Sequence, residues 1–298
     1  AMWRFWSSHI RPLLDAAQAR RVMEIGADDG YNTRRILEWC ATSGAVLDVV
    51  DPEPTYRLKI GLEENPPELY VYHRLPSLDA IPIAEPPDVV LIDGDHNWHT
   101  VYRECQLLYE GALRRGVPSP IILFHEAAWP YARRDMYYVP DRIHQEFRHA
   151  YAYRGIAPGQ SDLSDEGLNP HLANAEHEGG PRNGVLTAVE NFVAEWPEAI
   201  SLRILPWFNG LGIAVPAARA TPEVNALIDS FYSSESLLAS CVELEKWNAM
   251  LLIELQKSRI NFDRRTAALE RARDLLSDRR TRIEQLEAEL AALKAAKG

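Results

Sequence analysis

Two short clusters carry side chains whose types and spacing could do chemistry. Asp93-Gly94-Asp95-His96 and His125-Glu126 each follow directly on a run of apolar residues. Carboxylates gathered at one point would suit a hard divalent cation such as Mg²⁺ or Mn²⁺. Such an ion binds neighbouring hydroxyls, orients them and lowers the pKa of the one that attacks. A hydroxyl is a very weak acid, so a base is also needed. A neutral imidazole titrates near pH 7 and fits that role. His96 and His144 are the candidate bases, with Asp95 as an assisting group. The bland alternative is that Asp93 caps the next helix and that His125 is a hydrogen-bonded core histidine.

A second constellation surrounds Glu24-Ile25-Gly26-Ala27-Asp28-Asp29-Gly30. Gly26 allows a tight turn, and Gly30 allows a ligand to approach main-chain amides. The three-glycine pattern of a dinucleotide loop is missing, and two aspartates fill the space where a pyrophosphate would lie. They would repel a diphosphate and attract an amino group and a sulfonium, which points to S-adenosylmethionine (SAM) rather than to NAD. Asp51 ends the next apolar run, where a carboxylate can accept ribose hydroxyls. Ser77-Leu78 follows a third run, placed to flank an adenine ring. The stretch Trp129-Pro130-Tyr131-Ala132-Arg133-Arg134-Asp135-Met136-Tyr137 mixes aromatics, arginines and an acid. Rings stack on sugar faces while arginine and aspartate bind hydroxyls, so Trp129, Tyr131, Arg133, Arg134 and Tyr137 are candidate acceptor contacts. A loop anchored by its own aromatics would look the same.

These groups need a scaffold. Apolar runs at 21–27, 45–51, 68–74, 88–93 and 120–125 alternate with helical patterns at 31–42, near Pro54 and at 100–115. Alternation of this kind predicts βαβ units and a parallel sheet, whose doubly covered strands read as solid apolar runs. Ligands then bind beyond the carboxyl ends of the strands, where the acidic clusters lie. Residues 127–184 break the pattern with scattered prolines and glycines, and read as a lid or acceptor-binding insertion. A helix is expected at 185–196. Strands at 200–208 and 212–216 flank Asn209-Gly210, a strong hairpin signal. The expected fold is therefore α/β: a Rossmann-like, seven-stranded, mostly parallel sheet ending in an antiparallel hairpin.

The composition changes near Thr221, which divides the chain into a domain at 1–220 and a helical tail at 221–298. In the tail, Cys241, Asn248, Leu255, Phe262, Leu269, Leu276, Ile283 and Leu290 recur every seven residues. The companion positions, Leu244 through Leu293, are apolar at both ends and polar in the middle (Ser258, Arg265, Arg279). Sustained heptads predict a coiled coil that pairs chains through residues 237–293. A long helix docked on its own domain is the competing reading.

The segments VMEIGADDGYNT, VVDPEP, LIDGDHNWH and LFHEAAWP resemble the class I SAM-dependent methyltransferases over residues 20–216. More narrowly, they are similar to the metal-dependent branch that methylates sugar hydroxyls, including enzymes of methylmannose polysaccharide synthesis. The resemblance implies SAM contacts at Gly26, Asp28 and Asp51; Glu24, Gly30, Ser77, Leu78 and Asp93 stand beside them as further candidate SAM contacts. It also implies a divalent metal, Mg²⁺ or Mn²⁺, on Asp93, Glu126 and His125. His125 stands where that branch carries an acid, a change acceptable to Mn²⁺ or a transition ion but unusual for Mg²⁺.

Composition bounds the partners. Of 298 residues, 25% are charged, and the net charge of -11 argues against nucleic acid or an anionic membrane. Three widely spaced cysteines make neither a disulfide framework nor a zinc site, which suits a reducing, cytoplasmic setting. The N-terminus lacks a signal-peptide pattern, and Ala1 before Met2 reads as an expression remnant. The expected function is methyl transfer from SAM to a saccharide hydroxyl. Two alternatives stand beside it. One is a glycosyltransferase that holds metal and sugar nucleotide through Asp93-Gly94-Asp95. The other is a catalytically silent scaffold built around the coiled coil.

Overall fold

The structure is a computed structural model that describes residues 2–295; Ala1 and residues 296–298 lie outside it. Two compact units divide at Leu237/Leu238. The first opens with short helical turns at Met2–Phe5 and Trp6–Ile10 and helix α1 (Arg11–Ala16). Then come β1 (Arg21–Ile25), α2 (Tyr31–Ser43), β2 (Val46–Val50), α3 (Tyr56–Glu63), β3 (Tyr70–His73), α4 (Ser77–Ala80), β4 (Val89–Ile92), α5 (Trp98–Arg115) and β5 (Ile121–His125). The insertion holds three short strands, β6 (Met136–Tyr137), β7 (Tyr151–Ala152) and β8 (Ala173–Ala175). Helix α6 (Val185–Glu195), β9 (Ile200–Leu205), β10 (Leu211–Pro216) and α7 (Pro222–Ser230) complete the unit, and α8 (Ser234–Ala295) runs into the second.

The main sheet has the order β3-β2-β1-β4-β5-β10-β9. Strands β1 to β5 pair in parallel, and β10 is antiparallel to both neighbours. This is the Rossmann-like, seven-stranded arrangement the sequence predicts, and its strand order reverses between β1 and β4. The hairpin turn falls on Asn209 and Gly210, with φ of +69° and +89°, the left-handed backbone that these residue types tolerate. Strands β4 and β5 are buried along their whole length, as both faces are covered by packed apolar layers.

Helix starts follow local chemistry. The side chains of Thr55 and Asn97 accept hydrogen bonds from the Leu58 and Thr100 amides and so cap α3 and α5. Helix α7 lies within the expected tail, yet Val224, Ile228 and Phe231 pack into the core of the first unit. The compact unit therefore extends beyond residue 220, to Leu237.

The insertion is more ordered than its prolines and glycines suggest. Strands β6, β8 and β7 form a separate antiparallel sheet, tied to the main domain by the Met136 amide donating to the His96 carbonyl at 3.0 Å. Asp135 is fully buried. It accepts hydrogen bonds from the Trp98 and Gly184 amides, both at 2.7 Å, and from the Tyr137 hydroxyl at 2.9 Å. One carboxylate thus joins the two ends of the insertion to the first turn of α5. No helix among the described residues is long and apolar enough to cross a membrane.

Candidate active site

The loop after β1 and the loop after β4 meet at the point where the strand order reverses. Gly26 has φ +83°, and a Cβ there would lie 2.4 Å from the Asp93 carbonyl oxygen. Only glycine allows the two loops to close to this distance. The contact opens a cavity of about 220 Å³ at the carboxyl edge of the sheet, lined by Glu24, Gly26, Asp28, Asp93, His96, His125 and Glu126. Met2, Trp3, Ala27, Asp29, Tyr31, Asn32 and Tyr138 complete its wall, and among the described residues no lysine or arginine lines it.

On the β1 side, Glu24 is buried with its hydrogen bonds made. Asn32 Nδ2 donates to Oε1 at 2.9 Å and Thr33 Oγ1 to Oε2 at 2.5 Å. Burial nonetheless pushes its carboxyl up to about 7, opposed by these two bonds and aided by the charges of Asp93 and Asp51. A cationic ligand in the cavity would reverse that balance. Asp51 stands just behind the cavity wall. Its Oδ2 accepts from the Ala27 and Asp28 amides and its Oδ1 from the Glu53 amide, so it organises the loop that faces the cavity.

On the β4 and β5 side the bonding is incomplete. His125 Nε2 donates to the Phe208 carbonyl at 2.9 Å, and Nδ1 lies 3.0 Å from Asp93 Oδ1. Asp93 Oδ2 accepts from the Met2 amide at 3.2 Å. His96 Nε2 is 3.5 Å from Asp93 Oδ1, too long for a hydrogen bond, and both His96 ring nitrogens are buried without a partner. Burial alone would depress this imidazole; the neighbouring carboxylates of Asp93, Glu126 and Asp95 outweigh it and raise the pKa. Burial would likewise raise Asp93, but His125 and His96 hold it well below the usual carboxylate range. Glu126 Oε1 accepts from Asn209 Nδ2 at 3.0 Å, while Oε2 is buried and unpartnered.

Asp93, His96 and His125 each offer a ligand atom within 4.8 Å of the others. The donor set fits a divalent ion. His125 donates its outer N–H to a carbonyl, the orientation a ligating imidazole takes, and His96 has nitrogens to spare. Two imidazoles and a carboxylate suit a transition ion better than Mg²⁺. Glu126 lies at the edge of this set, its Oε1 3.7 Å from His125 Nδ1.

Other expected residues lie elsewhere. Asp95 is not on the cavity wall and accepts a hydrogen bond from Thr100 Oγ1 at 3.3 Å. His144 is exposed and pairs with Glu146 at 3.2 Å. Ser77 and Leu78 open α4, and Ser77 neighbours the fully buried Glu104. Tyr131 stacks on His96 with centroids 5.9 Å apart and planes 6° from parallel, so it orients the imidazole. Tyr137 holds Asp135, Arg133 pairs with Glu190 at 2.8 Å, and Arg134 is buried against the carbonyls of Ala175 and Ser161. These three build the insertion. Trp129 remains half-exposed.

Tyr138, Asn32 and the Met2-Trp3 segment are cavity-lining residues that sequence reasoning missed. Asn32 and Thr33 had a legible signal: two hydrogen-bonding side chains in the first turn of the helix that follows an acidic strand end. The N-terminal segment had none, because its Phe5 packs edge-on against His125, 6.4 Å between centroids, only in the folded chain.

No family model matches the chain, and no curated protein matches it. Among solved structures it is similar to a Podospora anserina methyltransferase bound to S-adenosylhomocysteine, at 18% identity and TM-score 0.44, over 69% of this chain and 76% of that one. Human N-acetylserotonin methyltransferase in complex with SAM aligns at 14% identity and TM-score 0.41, over 72% of this chain and 53% of that one. An O-methyltransferase from Streptomyces achromogenes involved in tomaymycin synthesis, also in complex with SAM, aligns at 14% identity and TM-score 0.38, over 68% and 76%.

Proposed function

We propose that the chain is a SAM-dependent O-methyltransferase acting on a hydroxyl of a saccharide or glycosylated product. The observation that carries this reading is one cavity walled by the carboxylates of Glu24, Asp28, Asp29, Asp93 and Glu126, with two histidines and, among the described residues, no lysine or arginine. Such a wall attracts a ligand bearing an ammonium and a sulfonium and repels a diphosphate, which also weighs against a glycosyltransferase. Neutral, hydroxyl-rich acceptors match a wall in which five carboxylates can accept hydrogen bonds.

The chain's own groups divide the work. Glu24, ionised by the approach of a cation, and the loop held by Asp51 position the donor. When bound, SAM supplies an electrophilic methyl group for in-line attack by the acceptor oxygen. A divalent ion on Asp93, His96 and His125 would acidify that hydroxyl, and the free Glu126 Oε2 would stand ready to take its proton. Tyr131 and the Met2 amide keep His96 and Asp93 in place. A second reading dispenses with the ion: Asp93 is satisfied by Met2 and His125 as it stands, and His96 takes the proton directly.

Transfer of an isotopic methyl group from SAM to a panel of oligosaccharides, with and without EDTA, tests the proposal. Labelled saccharide is expected, and Mn²⁺ should restore activity after chelation. Activity indifferent to EDTA selects His96 as the base. Failure to label any saccharide, with SAM still bound, removes the acceptor assignment.

A further inference from the structure

We propose that α8 pairs with α8 of a second copy of this chain as a parallel, in-register, two-stranded coiled coil, an inference that goes beyond the enzymatic reading and is independent of it. The helix is continuous over 62 residues, roughly 90 Å at 1.5 Å per residue. Its seven-residue stripe is exposed: Leu255, Phe262, Leu269 and Leu276 each leave about two thirds of their surface open. Isolated helices owe most of their stability to packing of an apolar face, and a stripe of this length marks an interaction surface.

The occupant and its direction follow from polar positions. With Cys241 and Leu255 on the first core position of each heptad, Asn248 falls on that same position. A single asparagine there fixes register, because it finds its best partner in the equivalent asparagine of the neighbouring strand. The flanking charges agree. In a parallel pair each residue before the first core position faces the one five further along on the partner. Glu254 then meets Arg259, Arg282 meets Glu287, and Glu289 meets Lys294. No like charges meet anywhere in that series.

The antiparallel arrangement that overlaps the whole heptad stretch, with Cys241 opposite Leu293, fares worse on the same test. Arg259 would face Arg273, Glu245 would face Glu287 and Asn248 would lie opposite Leu286, against one attractive pairing, Glu254 with Arg282. Arg265 and Arg279 occupy the second core position in either arrangement. In the parallel pair each faces its own copy, a like-charge cost that is reduced because their stems cover the seam while the guanidinium groups reach water; the flanking ion pairs and the asparagine layer offset it.

Cys241 provides the probe. It is exposed, whereas Cys40 and Cys105 are buried. In the parallel coil it meets its own copy in one layer, within the reach of a disulfide; in the antiparallel coil the two lie roughly 75 Å apart. The experiment takes the full chain at micromolar concentration through sedimentation and through copper-phenanthroline oxidation, read on a non-reducing gel. Expected are twice the monomer mass and a covalent dimer that dithiothreitol reverses and Cys241→Ser abolishes. Glu254→Arg should weaken the dimer about three- to tenfold, and adding Arg259→Glu should restore it. A monomer or a trimer would overturn the proposal. So would a dimer that Cys241 cannot cross-link, or one that survives Leu269→Lys with Leu276→Lys.

Discussion

Two carboxylates at the ends of adjacent strands, Glu24 buried and Asp93 half-buried, behave differently. Glu24 on β1 has both oxygens hydrogen-bonded by the side chains of the helix that follows it. Asp93 after β4 shares its oxygens with a backbone amide and an imidazole, beside a second imidazole with no bond at all. A fully bonded buried group is a fixed electrostatic surface, suited to binding. Buried groups with open valences are costly unless a ligand, ion or proton completes them. The β1 side therefore reads as the donor-binding wall and the β4–β5 side as the reacting wall.

The largest effect that would break this contrast comes from His96. His96→Gln should lower kcat by about 10²- to 10⁴-fold, with the KM for SAM little changed, as measured by steady-state kinetics. Equal losses in both would place His96 on the binding wall. Glu24→Gln should do the reverse. Loss of one buried, charge-assisted contact of about 2 kcal/mol raises the SAM Kd roughly 30-fold, and calorimetry at pH 7.5 checks it.

Protonation sharpens the same contrast. The Glu24 carboxyl titrates at about 7 in the empty fold, and a cation favours its ionised form. SAM affinity should therefore rise from pH 6 to pH 8, and Glu24→Gln should flatten that rise. Stability moves the other way. Burial raises Glu24 to about 7 and Glu104 to about 8, so the folded chain holds more protons than the unfolded one between pH 4.5 and 8. Stability falls as pH rises through that window, on the order of 1 kcal/mol per pH unit for each group. Denaturant unfolding at pH 5 and pH 8 measures the fall, and Glu104→Gln should reduce it. The smallest effect is expected at His144. This exposed side chain pairs with Glu146 and meets Phe147 edge-on, away from the cavity wall, and His144→Ala should change kcat less than twofold.

The sheet and its edge were legible in the sequence because parallel strands leave solid apolar runs and end in chemistry. Asp93, His125 and Gly26 fell where those runs stop, and Asn209-Gly210 marked the hairpin. The insertion was not legible. Its strands are two or three residues long, below the length at which alternation shows, and a single buried aspartate anchors it. For the same reason Arg133, Arg134 and Tyr137, which look like a sugar cleft in sequence, serve as internal ties. His96 was legible as a candidate, while its missing partners, which set it apart from the other histidines, exist only in three dimensions. The end of the first compact unit was hidden because α7 is as helical as the tail but packs into the core.

The proposed chemistry requires the acidic cavity to gather a sulfonium donor. Calorimetric titration of the full chain with SAM, and separately with a uridine diphosphate sugar plus Mn²⁺, tests it most directly. Saturable SAM binding that Glu24→Gln weakens, with no heat from the sugar nucleotide, is the expected result. Sugar-nucleotide binding without SAM binding, or no binding of either, would contradict it.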